Sequence, residues 1–325
     1  MKKLFTNALM FLACLISLPA FAQQETQFSQ YMFNTLFYNP AYAGIRGQGN
    51  FALLHRTQWL GYNGTFDQGG APNSQVLSFD APFMQTSGIG IHITNDQIAT
   101  VRNTELQVSY AYHIPLGNGK LSIGARAGAY NQVNRFNILR ARESDDPLVN
   151  AAIASSGNMQ IKPDVSAGLY YQTPDFYVGV SGTRLLQAEF DYGIAGLKNA
   201  LSRNVYLTAG YNIPVNDQLV VTPSFLVKSD LNTYSFDVSA IATYDDRFWG
   251  GLSYRQGDAG IVMLGMNIKK NEAGYTELRA GYSFDYTLQG RLAKSATSHE
   301  FMVAYTIAPP APIKKPAQRT PRYNH

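Results

Sequence analysis

Glu105–His113 reads ELQVSYAYH, and apolar and polar side chains alternate along it. Its apolar set is Leu106, Val108, Tyr110 and Tyr112, and the residues between them are polar or small. Successive side chains of a β-strand point to opposite faces. This stretch therefore predicts a strand with one apolar and one polar face.

The same alternation recurs along the chain in segments of about ten residues, close to the length that crosses a bilayer at a tilt. The clearest repeats are Lys120–Tyr130, Asp164–Gln172, Asn204–Asn212, Tyr234–Tyr244 and Glu277–Tyr286. A soluble β-sandwich also alternates, so the period alone does not separate it from a membrane barrel.

Two further features favour the membrane barrel. Many apolar faces carry a tyrosine near one end, as the aromatic girdle of a barrel requires; these are Tyr112, Tyr171, Tyr211, Tyr234, Tyr244 and Tyr286. The opposite faces are rich in Gly, Ser and Thr and include charged residues, which suits a wet or polar-filled lumen. We therefore predict an all-β fold, a transmembrane antiparallel β-barrel of about 14 strands over residues 50–307.

The predicted connections alternate in length. Short joins such as 84–86 and 245–246 follow the even-numbered strands, whereas the long joins, such as 61–73, 132–162 and 185–201, follow odd ones. Outer-membrane barrels pair short periplasmic turns with long extracellular loops. This pattern predicts an outer-membrane location with both termini in the periplasm.

Composition excludes several other classes. Charged residues make up 15% of the 325-residue chain, aromatic residues 13%, and the net charge is +4. The chain is too apolar and aromatic for a disordered protein, and its basic excess is too small for a nucleic-acid binder.

Residues 1–22 resemble a secretory signal peptide. Lys2 and Lys3 precede an apolar stretch, and Ala20-Phe21-Ala22 forms a small-x-small cleavage site. Lipoprotein processing before Cys14, the one cysteine, is the alternative. Ordinary cleavage would leave a mature chain without disulfides or thiolate metal ligands.

Two segments lie outside the predicted barrel. The N-terminal segment, residues 23–49, is dense in aromatic side chains, so we expect it to pack in the lumen or against the periplasmic mouth. Residues 308–325 carry five prolines and four basic side chains. They predict a basic periplasmic tail, either polyproline II-like or disordered.

No motif for catalysis, a cofactor or a metal is present, so we predict a protein that is not an enzyme and binds none of these groups. Asp145-Asp146 could bind calcium or a charged partner, or form a solvated turn. Arg126 and Arg279 could line a permeation path, or pair with acids on neighbouring strands.

The N-terminal segment carries the most specific motifs, QFSQYMFN at 27–34 and YNPAYAG at 38–44. With weaker matches at 55–59, 71–75, 79–82 and 299–302, they resemble the PorP/SprF family of outer-membrane proteins of the type IX secretion system. The resemblance implies partner binding through the N-terminal signature residues: Gln27, Phe28, Ser29, Gln30, Tyr31, Phe33, Asn34, Tyr38, Asn39, Pro40, Tyr42 and Gly44.

The family resemblance also implies the partners. One set comprises type IX secretion components, including periplasmic ring and peptidoglycan-linked proteins. Another partner, in place of these or together with them, is the C-terminal domain of a secreted adhesin that the barrel helps export and anchor. Outer-membrane lipid surrounds the barrel. The loop 132–162 is the candidate external docking surface, through Ile138, Leu139, Asp145, Asp146, Leu148 and Ile153; the alternative is an ordinary loop that covers the barrel mouth.

Three functions remain open on the sequence. The favoured one is a non-catalytic secretion and anchoring component. The second is a passive channel or small-molecule transporter, which the same barrel allows, and the third is an outer-membrane enzyme with a catalytic cluster at the rim.

Overall fold

The computed structural model describes residues 26–62, 70–135, 150, 153–154, 157, 159–191, 198–270, 276–290 and 294–307. Antiparallel β-strands account for most of these residues. Their bounds are β1 Gly49–Thr57, β2 Asn73–Phe83, β3 Ser87–Ile98, β4 Val101–Leu116, β5 Gly119–Asn134, β6 Gln160–Gln172, β7 Phe176–Thr183, β8 Glu189–Asp191, β9 Lys198–Ala200, β10 Asn204–Tyr211, β11 Ile213–Pro214, β12 Leu219–Ser229, β13 Tyr234–Tyr244, β14 Phe248–Arg255, β15 Ala259–Lys270, β16 Thr276–Thr287 and β17 Thr297–Ile307.

The strands form one closed barrel. β1 pairs with β17, and β10 pairs with both β7 and β12, so the sheet closes on itself. β10 and β11 are two parts of one strand interrupted at Asn212, while β8 and β9 form a separate hairpin. The described residues thus contain fourteen barrel strands, which confirms the predicted fold class.

The alternation predicted for Glu105–His113 is present in β4. Leu106, Val108 and Tyr110 point outward and are about half exposed, whereas Gln107 and Ser109 face the lumen and are fully buried. The barrel is therefore apolar outside and polar inside, the reverse of a soluble sandwich. A surface of this kind is stable when it faces lipid.

Several strand ends differ from the predicted ones by one to three residues, and one predicted loop contains a hairpin. The first strand, expected to reach residue 60, ends at Thr57, because Trp59 adopts a positive φ of 53° that extended backbone does not allow. The β8–β9 hairpin lies inside the predicted loop 185–201. Phe190 anchors it by packing against Tyr130 and Leu201.

The two ends of the barrel differ. At one end, here called the turn end, Gly49 faces Ile307 and the strands are joined by the short turns 84–86, 117–118, 173–175, 215–218 and 245–247. At the other, the loop end, the strands are joined by the long connections 58–72, 135–159, 184–203 and 288–296 and by the short ones 99–100, 230–233 and 256–258.

The described part of the N-terminal segment, residues 26–48, contains three short helical turns: Tyr31–Phe33, Thr35–Tyr38 and Pro40–Tyr42. Among the described residues, no helix has the length and apolar character needed to span a membrane. The predicted signal peptide, residues 1–22, and the predicted tail, residues 308–325, lie outside the described residues.

Candidate functional site

The N-terminal segment runs through the barrel lumen. Near its start, the Thr26 side chain lies beside Asp96, close to the loop end of β3. Near its end, the Gly44 amide donates to Asp80 Oδ2 at 3.1 Å, close to the turn end of β2. The segment therefore crosses the lumen from the loop end to the turn end, where β1 begins.

The structure places all twelve signature residues in this lumen. Gln27, Phe33 and Tyr42 are half-buried. The others are buried: Phe28, Ser29, Gln30, Tyr31, Asn34, Tyr38, Asn39, Pro40 and Gly44. Their direct neighbours are residues of the barrel wall, and partner binding through them stays a prediction.

Two carboxylates of the wall hold the start of the segment. Glu300 accepts from the backbone amides of Ser29, at 2.7 Å, and Gln30, at 2.9 Å. The Ser29 hydroxyl donates to Asp285 Oδ2 at 2.6 Å. Hydrogen bonds to ionised acceptors are stronger than neutral ones.

Basic side chains neutralise these carboxylates. Arg56 Nη1 lies 2.8 Å from Asp285 Oδ2 and 3.5 Å from Glu300 Oε2. The Arg255 guanidinium donates to the Phe28 carbonyl at 3.2 Å.

Asp237 extends this group of charges along the wall. It lies 3.1 Å from Arg255 Nε and 3.4 Å from Lys228 Nζ. We call the group the lumen ion cluster: Arg56, Lys228, Asp237, Arg255, Asp285 and Glu300. It contains three cations and three anions, all buried, so its formal charges balance.

A second set of bonds holds the middle of the segment. Here wall side chains donate to backbone carbonyls: Arg126 Nη1 to Phe37 at 2.8 Å and Ser181 Oγ to Tyr38 at 2.7 Å. Asn39 reverses the direction, since its side-chain amide donates to the Leu169 carbonyl at 2.9 Å. The segment is thereby bonded to strands on opposite sides of the barrel.

Glycines in the strands make room for this contact. A Cβ atom at Gly124 would meet the backbone of Ala41, and one at Gly168 would meet the Asn39 side chain. Larger residues would push the segment away from the wall. The glycine-rich polar faces seen in the sequence thus correspond to a close approach of two pieces of backbone.

Aromatic rings fill the space between these polar contacts. Phe28 meets Phe37 edge-on at 5.4 Å between ring centroids, and Tyr38 meets Tyr206 of β10 at 5.2 Å. Burial of such rings stabilises the packed segment, and edge-to-face pairs add about 0.5–1.5 kcal/mol each.

Arg126 and Arg279 lie in different surroundings. The sequence left open whether they line a permeation path or pair with acids on neighbouring strands. Arg126 bonds to the segment and to Ser166 of β6. Arg279 Nε donates to Asn267 at 2.9 Å, and its guanidinium lies 4.9 Å from the centre of the Phe33 ring.

The candidate external loop falls mostly outside the described residues. Ile138, Leu139, Asp145, Asp146 and Leu148 lie there, whereas Ile153 is described and exposed. Docking at this loop stays a prediction.

The described residues contain no group of three His, Cys, Asp or Glu side chains that could hold a metal ion. A buried acid–imidazole pair is present, with His92 Nε2 3.6 Å from Glu105 Oε1. The Phe37 ring packs against His92 at 5.7 Å, and His92 is fully buried.

Sequence reasoning missed the lumen ion cluster. Asp237 lies on a predicted polar face, but its partners lie on other strands, and only the register of those strands brings them together. A surplus of charged residues on the polar faces was the available signal, and it could not identify the pairs.

The chain matches the family described as "Type IX secretion system membrane protein PorP/SprF" over residues 20–305. A comparison with curated proteins finds no match. Among solved structures, it is similar to the Pseudomonas putida toluene transporter TodX (13% identity, 87% of this chain and 94% of that chain, TM-score 0.50). It is also similar to the Ralstonia pickettii toluene transporter TbuX (16% identity, 84% of this chain and 92% of that chain, TM-score 0.46).

At such low identity, the likeness to TodX concerns the fold, a closed barrel of the outer-membrane type. The family match covers nearly the whole chain and both signature motifs. The protein belongs to the PorP/SprF family of type IX secretion system membrane proteins.

Proposed function

We propose that this protein is a non-catalytic outer-membrane component of the type IX secretion system. One role is to bind other components of that system, such as periplasmic ring and peptidoglycan-linked proteins. The other is to help export a secreted adhesin and to anchor it through the adhesin's C-terminal domain. The protein performs one of these roles or both. One observation carries the proposal. The N-terminal segment, which contains the family signature, crosses the lumen, and the lumen ion cluster bonds this segment to the barrel wall.

This observation bears on how partners are reached. A buried segment offers little surface to another protein, so partners meet the two ends of the barrel. The signature residues act from within by holding the wall and the rim in one shape. We propose that the turn end faces the periplasm with both termini and that loop 132–162 faces outward.

Affinity purification from native membranes tests this function. The full chain is compared with a variant whose residues 136–149 are replaced by a Gly/Ser linker of equal length. We expect type IX secretion components to copurify with both proteins and an adhesin to copurify only with the unaltered loop. Recovery of no secretion component with the full chain would contradict the proposal.

The solved neighbour described as a toluene transporter raises the alternative of a passive channel. Planar-bilayer recording separates the two functions. A lumen crossed by a bonded segment should conduct almost no ions, with or without small solutes. A stable, solute-dependent conductance of the unaltered protein would favour the channel.

A further inference from the structure

A cavity of about 410 Å³ lies at the turn end, between the N-terminal segment and the wall. Asn50 and Thr306, each one residue in from the paired ends of β1 and β17, contribute to its lining. Its size falls within the range of pockets that bind small ligands, about 300–1,000 Å³.

Two arginines give this cavity its charge. Arg46 and Arg279 both line it and are close enough to repel each other. Within the described residues, neither forms an ion pair. Arg46 stacks over the Tyr42 ring at 5.6 Å, and Arg279 stacks over the Phe33 ring.

One acid, Asp80, is present among the lining residues. It is 5% exposed, accepts the Gly44 amide at 3.1 Å and lies 3.5 Å from the Asn50 side-chain nitrogen. Asp80 also attracts Arg46. With two arginines and one acid, the charged side chains of the cavity lining sum to one net positive charge.

Buried polar groups without partners also line the cavity. Asn34 is 1% exposed, and neither its side-chain oxygen nor its nitrogen has a hydrogen-bond partner. The Trp249 indole nitrogen is unpartnered as well. An unpaired buried polar group is destabilising, and a ligand with matching polar groups would remove that cost.

We propose that this cavity binds a carboxylate carried on an apolar body. The carboxylate lies between Arg46 and Arg279, whose planar guanidinium groups match its geometry. The apolar part packs against Phe33 and Trp249, whose rings are 4.8 Å apart. A single negative charge balances the lining, whereas a phosphate dianion leaves an excess of charge.

The chain supplies a reporter for this site. It has two tryptophans, and Trp59→Phe leaves Trp249 as the only one. The full chain in detergent is titrated with 3-phenylpropionate, with 3-phenylpropanol and inorganic phosphate as comparison probes. We expect a saturable change in Trp249 fluorescence with 3-phenylpropionate alone. An equal response to the alcohol would overturn the proposal.

Arginine variants locate the binding. Arg279→Gln and, separately, Arg46→Gln should weaken 3-phenylpropionate binding by about ten-fold or more, since each removes a charge-assisted contact. The matched control is Arg247→Gln, at the same end and stacked over Phe248 at 5.2 Å but outside the cavity lining. Unchanged binding in both cavity variants, or an equal loss in the control, would refute the site.

Competition identifies the source of the carboxylate. Three competitors are tested for displacement of 3-phenylpropionate. They are hexanoate, a Gly-Gly-Leu-Phe peptide with a free carboxyl terminus, and the same peptide with an amidated terminus. Stronger displacement by the peptide supports a protein terminus entering from the turn end. Stronger displacement by hexanoate supports a free organic acid. Displacement by the amidated peptide as well as by the free one would overturn carboxylate recognition.

Discussion

Glu300 shows at the scale of one residue how the wall and the N-terminal segment depend on each other. Its carboxylate accepts two consecutive backbone amides of the segment, and Arg56 of β1 lies 3.5 Å away. A buried carboxylate is tolerated only with such partners. Removing one member of the lumen ion cluster therefore leaves its buried partners with less compensating charge.

Arg56→Met should destabilise the barrel strongly, because it leaves Asp285 and Glu300 buried without their shared cation. We expect a loss of about 3–5 kcal/mol in the free energy of unfolding, measured by urea titration of the folded protein. Arg102→Met is the matched control, since Arg102 is exposed and bonds to Asn95. Equal effects of the two substitutions would refute this role of the lumen ion cluster.

A second residue-scale prediction concerns the contact between two backbones at Gly124. Gly124→Ala places a Cβ atom against Ala41, so the segment must shift from the wall. We expect faster proteolysis within residues 26–48 of the folded protein. Gly250→Ala should leave the rate unchanged, because its nearest neighbour is a Leu264 methyl group at 3.4 Å. Slow cleavage in both variants would contradict the close packing.

At the scale of elements, the loop end is tied together by contacts between connections. Asp258, between β14 and β15, lies 2.9 Å from Lys294 in the connection before β17. The Lys294 ammonium also lies 5.3 Å from the centre of the Trp59 ring. Three connections that are distant in sequence thus meet around one lysine.

The Asp258–Lys294 pair should make stability depend on pH. Burial alone would raise the pKa of the Asp258 carboxyl, but Arg255 and Lys294 hold that pKa below its usual range. Its stabilisation is therefore complete above the unfolded-state pKa of about 3.9 and is lost as pH falls through the folded value.

Unfolding of the Lys294→Met variant checks this dependence. The substitution should cost roughly 1 kcal/mol between about pH 5 and pH 7, and this cost should shrink below about pH 4. Lys198→Met removes an exposed pair with Glu189 at 3.8 Å and should cost less at every pH. A Lys294→Met cost that grows on acidification would contradict the assigned pair.

The strands and the β8–β9 hairpin differ in how well the sequence predicts them. Strands such as β4 and β13 were predictable because helices and loops rarely produce a period of two over about ten residues. The β8–β9 hairpin has three residues in each strand, too short for a period. Asn39 was recognised through its motif, but its bond to Leu169 depends on where the segment lies in the lumen, which local patterns do not encode.

At the scale of the whole molecule, the barrel is apolar outside and polar inside, the reverse of a soluble protein. Its outward side chains, such as Val108 and Leu252, are apolar and exposed, while charge is concentrated inside around the N-terminal segment. A lipid-facing exterior and a bonded interior make a closed wall that presents different surfaces at its two ends. This arrangement is compatible with the partner contacts proposed above for the two ends of the barrel.

The central claim is that the N-terminal segment is a bonded part of the barrel interior. The rate of cysteine labelling tests this claim. In a Cys14→Ser background, Ser29→Cys and Leu231→Cys are exposed in turn to a membrane-impermeant maleimide. Ser29 is 0% exposed and Leu231 is 65% exposed. We predict rapid labelling at position 231 and labelling at position 29 only after unfolding in urea. Equal labelling rates at the two positions in the folded protein would contradict the claim.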